Sequence, residues 1–157
     1  MTPSPTSASL SATPARAAQP SRTSALAEIT LAPVAQAVLR VGAGLLFMQH
    51  GAQKLFGLLG GVDGAGATVP LMSQFGLAGV LEFFGGALVV LGLLTRPVAA
   101  VLALLMVAAY VTAHAPQGGL PIQNHGELAL LFGLVFAFLA AAGAGRWSLD
   151  GLRRRAR

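Results

Sequence analysis

The stretch PVAQAVLRVGAGLLFMQHGAQKLF, residues 33–56, is an apolar run that ends in polar side chains. Three further apolar segments follow: GLAGVLEFFGGALVVLGLL at 76–94, PVAAVLALLMVAAYVTAH at 97–114 and ELALLFGLVFAFLAAAG at 127–143. Each has about the 17 to 25 residues that cross a ~30 Å hydrocarbon core as a helix. Backbone groups in lipid must be paired within the segment, so helices are the expected form. The sequence therefore predicts an all-α, four-transmembrane-helix bundle.

The composition of the chain separates it from soluble domains. Of its 157 residues 55% are hydrophobic and only 10% are charged, with a mean hydropathy of +0.73. A soluble domain carries about 25% charged residues. Cysteine is absent, which excludes disulfides, thiol redox chemistry and cysteine persulfides on this chain. The net charge of +5 comes mostly from arginines in the tails, beside apolar segments, so no nucleic-acid partner is predicted.

Three regions are predicted along the chain. Residues 1–31 are rich in Ser, Thr, Ala and Pro without apolar periodicity, which is typical of a disordered tail. A cleaved secretory signal is not expected there, because no apolar core follows a basic start. Residues 32–150 form the membrane domain and residues 151–157 a basic tail. Pro33 and Pro97 suit the first turns of their helices, where the missing N–H costs little.

The distribution of basic residues predicts the orientation. With four spans, both tails share one side with the loop between the second and third spans. That side carries eight arginines, and Lys54 is the only basic Lys or Arg residue on the opposite side. The excess of positive charge marks the cytoplasmic side, so both termini are predicted to be cytoplasmic. Trp147 would lie at this interface and anchor the last helix.

The few polar side chains of the spans fall into one layer near the outer ends of the helices. Arg40 is the exception, in the inner half of the first span. Glu82 lies about 9 Å inside the outer boundary by the helical rise, where an ionisable group costs a few kcal/mol unless it is paired or protonated. We call this the outer polar layer, and its members come from all four spans: His50, Lys54, Glu82, His114, His125 and Glu127.

Helical periodicity predicts that two of these residues face other helices. Lys54 shares a stripe with Gly44 and Gly51, and Glu82 lies between Gly79 and Gly86 on a similar stripe of the second span. Glycines on such stripes let a neighbouring backbone approach closely. Glu82 is therefore expected to face inward, close to His50. The alternatives are that the histidines and Lys54 are interfacial residues, and that Glu127 is a first-turn acid favoured by the helix dipole. Arg40 would then extend to the interface or neutralise a structural acid.

A metal site is an alternative for the outer polar layer. Three histidines and two glutamates could bind zinc, copper or iron, and two histidines could bind a haem. No HxxxH or HxxE pair lies on one helix, however, and the triplet His125-Gly126-Glu127 lacks the cysteines of the zinc deaminases. No metal ligand set is therefore predicted.

The order of the motifs resembles that of the DoxX family of small four-helix membrane proteins. These motifs are an Arg in the first span, HGAQK at its end, LEFFGGALVVLGLLTRP, a His ending the third span, HGE and GAGRWSLD. The resemblance covers residues 32–150. The family pattern falls on Arg40, His50, Gly51, Lys54, Glu82, Gly85, Gly86, Arg96, Pro97, His114, Glu127 and Asp150.

The resemblance implies a multi-pass protein of the bacterial cytoplasmic membrane with links to redox chemistry. The family includes relatives of a small subunit of thiosulfate:quinone oxidoreductase. Other members resemble membrane partners in oxidative-stress assemblies that include a sulfurtransferase and a superoxide dismutase. The expected partners are therefore the lipid bilayer, soluble redox or sulfurtransferase proteins, and a second copy of the chain in a homo-oligomer.

The main hypothesis is an integral membrane subunit of a redox-linked assembly, working in oxidative stress or in sulfur and quinone chemistry. Its cofactor is left open, with a quinone as the candidate ligand. The chain has no recognisable cofactor motif, so it would be a subunit of a quinone-linked oxidoreductase rather than a complete enzyme. Glu82 and His50 are the candidate catalytic residues, with Glu82 exchanging a proton. The candidate ligand-binding residues are Lys54, Arg40, His114, His125 and Glu127.

Two alternatives belong to other functional classes. One is a non-catalytic membrane scaffold that recruits soluble partners through its basic tail. The other is a small-solute transporter.

Overall fold

The first helix begins before the predicted first span. The computed structural model describes the backbone of residues 22–156 and the side chains of residues 31–156, so residues 1–21 of the predicted tail lie outside the described residues. Helix α1 is Arg22–Phe56. The expectation that Pro33 stands in a first turn is wrong, because Pro33 lies inside α1. Proline has no backbone N–H, so the hydrogen bond to the carbonyl four residues earlier is missing at Pro33, yet the helix continues through it.

Four further helices follow: α2 Gln74–Leu91, α3 Thr95–Gln117, α4 Glu127–Ala142 and α5 Leu149–Arg155. The bounds of α2, α3 and α4 lie within three residues of the predicted segments, whereas α5 was not predicted as a helix. Pro97 stands in the first turn of α3 as expected. The described residues contain no strand. Residues 31–56, α2 and α3 are long and apolar enough to cross a membrane, whereas α4 is a shorter apolar helix of 16 residues.

Helices α2 and α3 each contain a wider turn that the sequence did not predict. Leu81–Gly85 of α2 is a π-helical turn, and Tyr110–His114 of α3 is another. α3 then closes in the short 3₁₀ helix Ala115–Gln117. Insertions of this kind are rare and occur often at functional sites. Both turns carry a residue of the outer polar layer, namely Glu82 and His114.

Helices α1 and α2 are in backbone contact along the predicted glycine stripes. A Cβ on Gly51 would lie 2.7 Å from the carbonyl oxygen of Gly79, and a Cβ on Gly44 would lie 2.9 Å from that of Gly86. Side chains larger than hydrogen would force the two helices apart. The small-residue stripes are therefore the α1–α2 seam, a name we keep for these four glycines.

Aromatic side chains fill the core between α1 and α4. Phe47 of α1 is 1% exposed and packs against Phe132 and Phe136 of α4, with ring centroids 5.2 and 4.7 Å away. Leu102 and Met106 of α3 complete this core. Large apolar side chains elsewhere on the helices face outward, among them Leu45, Leu46, Leu104, Val107, Leu134 and Phe138. This arrangement fits helices that are surrounded by lipid.

Candidate functional site

Lys54 and Glu82 form an ion pair across the α1–α2 seam. Lys54 Nζ lies 2.6 Å from Glu82 Oε2. The side chain of Glu82 is 7% exposed and that of Lys54 is 20% exposed. The inward orientation predicted for Glu82 is confirmed. Its cation comes from the last turn of α1, and Glu82 itself stands in the π-helical turn of α2.

A glycine makes this pairing possible. A Cβ on Gly79 would lie 3.0 Å from Lys54 Cβ, tighter than ordinary van der Waals contact. The bare backbone of Gly79 therefore leaves room for the aliphatic stem of Lys54. Gly79 precedes Glu82 by three residues, close to one turn of α2, so the stem leads directly to the carboxylate. The seam thus positions the ion pair as well as packing the helices.

His50 lies beside this pair, one turn before Lys54 on α1. Its ring is half-buried and meets Phe132 edge-on, with centroids 6.0 Å apart and planes at 88°. Within residues 31–156 no hydrogen bond joins His50 to Glu82. The structure therefore brings Lys54, rather than His50, into direct contact with the buried carboxylate.

Asn124 organises a second polar cluster, which contains His114. His114 Nδ1 lies 3.0 Å from the carbonyl oxygen of Asn124, a contact that requires the proton on Nδ1. The His114 ring stacks on Tyr110, with centroids 6.4 Å apart. The Asn124 amide donates to Gly118 O at 2.9 Å and accepts from Gly126 N at 2.9 Å. Asn124 is 1% exposed, and this cluster fixes the loop between α3 and α4.

Two predicted ligand-binding residues lie on the surface of the same end. His125 is exposed and has a left-handed backbone, with φ 54. Glu127 is exposed in the first turn of α4. Neither side chain takes part in a hydrogen bond or salt bridge within the described side chains. The outer polar layer therefore divides into the Lys54–Glu82 pair with His50, the His114–Asn124 cluster, and these two exposed residues.

Arg40 lies apart from the outer polar layer, so the structure gives no support to its prediction as a ligand-binding residue. It is 2% exposed. Its Nη1 donates to Val89 O at 2.6 Å and also to Val90 O, and its Nη2 donates to Trp147 O at 2.6 Å. A cation at the carboxyl end of a helix satisfies carbonyls that have no partner in the helix. Arg40 thus joins α1 to the end of α2 and to the turn before α5.

Asp150 holds the same end of the bundle together. Its carboxylate accepts the N–H of Leu94 at 3.0 Å and that of Thr95 at 2.9 Å, and these groups begin α3. Partial burial by itself would raise the pKa of Asp150. The bonds from Thr95 and Leu94, with the nearby charge of Arg154, outweigh that effect and hold the pKa below its ordinary value. The GAGRWSLD motif is therefore structural at Asp150.

A comparison with protein families decides which class of protein has this architecture. The family model described as DoxX matches residues 35–115.

The chain belongs to the DoxX family.

The matched residues contain Arg40, His50, Lys54, Glu82 and His114, and they leave out His125, Glu127 and Asp150.

The relatives of this DoxX protein are bacterial. An uncharacterized protein of Haemophilus influenzae is 38% identical over 125 residues, covering 75% of this chain and 90% of the relative. An uncharacterized membrane protein of Mycobacterium tuberculosis is 37% identical over 127 residues, covering 71% and 77%. A Bacillus subtilis protein named "Putative oxidoreductase CatD" is 32% identical over 114 residues, covering 72% and 82%. No solved structure matches the chain.

Two features of the candidate site were not predicted from the sequence. Asn124 was missed because a buried amide in a loop has no periodic signature, although an Asn close to a His and a Glu at a helix start is a usable signal. The π-helical turn at Glu82 was missed because its residues read as ordinary helix. Within the described residues no cluster of three His, Asp or Glu side chains could hold a metal ion.

Proposed function

We propose that this DoxX protein is a membrane subunit of a redox-linked assembly and that the Lys54–Glu82 pair binds an oxygen-bearing ligand, with a quinone headgroup as the candidate. The observation that carries the proposal is the ion pair itself, in which Glu82 is buried between two apolar helices on a π-helical turn and Lys54 is partly buried. The name of the Bacillus subtilis relative supports a link to oxidoreductase chemistry.

The energetics of the pair favour a functional role over a purely structural one. Ionisable groups within membrane helices are costly, and those that persist commonly mark ligand or proton paths. Replacing a buried ion pair by apolar side chains is often neutral or stabilising, so stability alone does not require Lys54 and Glu82. The glycine seam would hold α1 to α2 without them.

The chemistry of the site follows from the direct contact between the two side chains. A ligand oxygen that binds the Lys54 ammonium would replace its contact with Glu82. The carboxylate would then lose its cation in apolar surroundings, where the protonated form is favoured. Ligand binding would thus be coupled to proton uptake at Glu82, and release would return the proton. His50, one turn away, is the second group that could donate to a ligand oxygen.

The apolar surroundings suit a quinone. The ring of Phe132 meets His50 edge-on, and the ring of Phe83 meets Phe56 edge-on at the end of α1. A quinone when bound would supply the electron-accepting chemistry that this cysteine-free chain lacks. Electrons would come from a partner protein, for which a soluble redox or sulfurtransferase protein is our candidate.

The proposal includes a membrane topology with four spans and both termini in the cytoplasm. Helix α4 packs along α3, which is long enough to span. Its 16 residues extend about 24 Å, somewhat less than a ~30 Å hydrocarbon core. The short loop that follows, with exposed Trp147 and Arg146, would complete the crossing at the interface. The site of Lys54 and Glu82 would then face the outer half of a bacterial cytoplasmic membrane.

The test is direct binding of a short-chain benzoquinone to detergent-purified protein, measured by the absorbance of quinone retained after gel filtration. We expect saturable binding that Lys54→Met weakens at least tenfold. Gln49→Met is the matched control, because Gln49 lies on the exposed surface of the same helix and should leave binding unchanged. Equal, non-saturable uptake by all three proteins would show partition into the micelle and would contradict the proposal.

A further inference from the structure

A basic groove lies at the end of the bundle opposite the ion pair. Its volume is about 360 Å³, and it lies between α1, the end of α4 and α5. The residues that line it include Gln36, Ala142, Gly145, Arg146, Arg154 and Arg155. Within the described side chains no salt bridge uses any of these arginines.

The backbone around the groove is held in place by specific contacts. Gln36 Nε2 donates to Gly143 O at 2.9 Å, which ties the chain after α4 to α1. Ser148 caps α5 by accepting Gly151 N at 3.0 Å, and its hydroxyl donates to Gly145 O at 2.8 Å. A Cβ on Gly151 would lie 2.7 Å from Arg146 O, so α5 packs directly on the turn that carries Arg146. The arginines therefore project from a defined frame.

The charge of the groove is positive. Among the described side chains, Asp150, one turn before Arg154 on α5, is the nearby acid, and its carboxylate already accepts the N–H groups of Leu94 and Thr95. Arginine binds phosphate oxygens through a planar fork of donors, and three arginines around one groove suit a phosphate group. The groove therefore suits a phosphate group that carries one or two negative charges.

The surface beside the groove identifies the source of that phosphate. Trp147 is 68% exposed and directly follows Arg146, and Leu152 is 58% exposed and precedes Arg154 by two residues. Ala142 at the end of an apolar helix lines the groove itself. Exposed apolar and aromatic side chains beside arginines are typical of the headgroup layer of a membrane. A soluble acidic partner would not need this apolar border.

We propose that this groove is a binding site for the headgroup of an anionic phospholipid. Arg146, Arg154 and Arg155 bind the phosphate oxygens, and Trp147 and Leu152 contact the acyl chains near the interface. Basic pockets between membrane helices on the cytoplasmic side bind anionic headgroups by this chemistry. The site is independent of the Lys54–Glu82 pair, which lies at the other end of the bundle.

The experiment is native mass spectrometry of the full-length protein in detergent, titrated with phosphatidylglycerol or phosphatidylcholine of the same acyl chains. We expect the wild-type protein to retain phosphatidylglycerol in preference to phosphatidylcholine. Each arginine at an anionic surface contributes about 1 kcal/mol, so R154Q/R155Q should bind phosphatidylglycerol about 30-fold more weakly. The control R96Q/R153Q removes two charges outside the groove and should change binding less than threefold.

Four results would overturn the proposal. They are equal retention of the two lipids, an equal loss in both double variants, displacement of the lipid by millimolar inorganic phosphate, and loss of a co-purifying acidic protein in R154Q/R155Q while lipid binding is unchanged. The lipid and phosphate titrations use the wild-type protein alone, so they decide the question even if a variant fails to fold.

Discussion

Glu82 and Asp150 are two carboxylates that the fold holds in different ways. Asp150 accepts two backbone N–H groups, from Leu94 and Thr95, which cannot move without unwinding the start of α3. Glu82 has one cationic partner, Lys54, at the end of a flexible four-carbon stem. Lys54 can turn toward another acceptor and the backbone groups cannot. Glu82 is therefore suited to exchange its partner, and Asp150 is suited to fix the fold.

We predict that Asp150→Asn destabilises the protein by about 1–3 kcal/mol at neutral pH, because the amide keeps one acceptor oxygen and loses the charge. The pKa of Asp150 is lowered in the folded state by its bonds to Thr95 and Leu94. Its contribution is therefore complete above the unfolded pKa of about 3.9 and is lost as the pH falls through the lower native value. Thermal unfolding in detergent should show a constant difference in the free energy of unfolding between variant and wild type down to about pH 5. At more acid pH this difference should shrink. A difference that does not change with pH would contradict this assignment.

The α1–α2 seam is the element that positions the candidate site. It places Gly51 against the backbone of α2 and Gly79 against the stem of Lys54. The π-helical turn Leu81–Gly85 then widens α2 at Glu82. Adding one residue to a turn rotates the side chains that precede it relative to those that follow, so a normal α2 could not present Gly79, Glu82 and Gly86 in the same way.

We predict that Gly51→Ala destabilises the protein by about 1–3 kcal/mol, because its Cβ would lie 2.5 Å from Phe83 N and 2.7 Å from Gly79 O. Gly42→Ala is the matched control on the same helix, since nothing lies within 4 Å of a Cβ there. The control should be neutral or stabilised by up to about 1 kcal/mol, because alanine favours helix. Thermal unfolding in detergent measures both. Equal stability of the two variants would mean that α1 and α2 are not in backbone contact.

The sequence predicts the seam well and the polar clusters only in part. Glycines at helical spacing have one common use between membrane helices, so Gly44, Gly51, Gly79 and Gly86 were informative. Glu82 was predicted to lie close to His50, whereas its direct partner is Lys54, because Lys54 and His50 stand one turn apart and helical geometry alone allows either. The role of Arg40 depended on the end of α2 and on Trp147, which are distant in sequence. Tertiary contacts of this kind leave no periodic pattern.

The whole molecule is a bundle whose two ends differ in chemistry. One end has the Lys54–Glu82 pair, and the other has Arg40, Asp150 and the basic groove. At the N-terminal end, the Pro and Ser content predicted a tail through residue 31. Helix α1 instead begins at Arg22, so composition alone did not place the start of the helix. The difference in charge between the two ends is the basis for the proposed orientation.

We predict that a fluorescent protein fused after Arg157 is active in the cytoplasm and that alkaline phosphatase fused there is inactive. A fusion after Gly119, which lacks α4, should give the opposite result, because α4 would be the segment that returns the chain to the cytoplasm. The comparison counts the spans as well as orienting them. The same reporter active at both positions would show that α4 does not cross the membrane.

The central claim is that Lys54 and Glu82 serve a ligand rather than the stability of the bundle. The most direct measurement is benzoquinone binding and thermal unfolding of the uncharged double variant Lys54→Met/Glu82→Gln, compared with wild type. Removing both charges leaves no unpaired ion in the seam, so the free energy of unfolding should change by less than about 1.5 kcal/mol. The affinity for benzoquinone should fall at least tenfold, since neither the cation nor the titratable carboxyl remains. A double variant that binds the quinone as tightly as wild type would contradict the account.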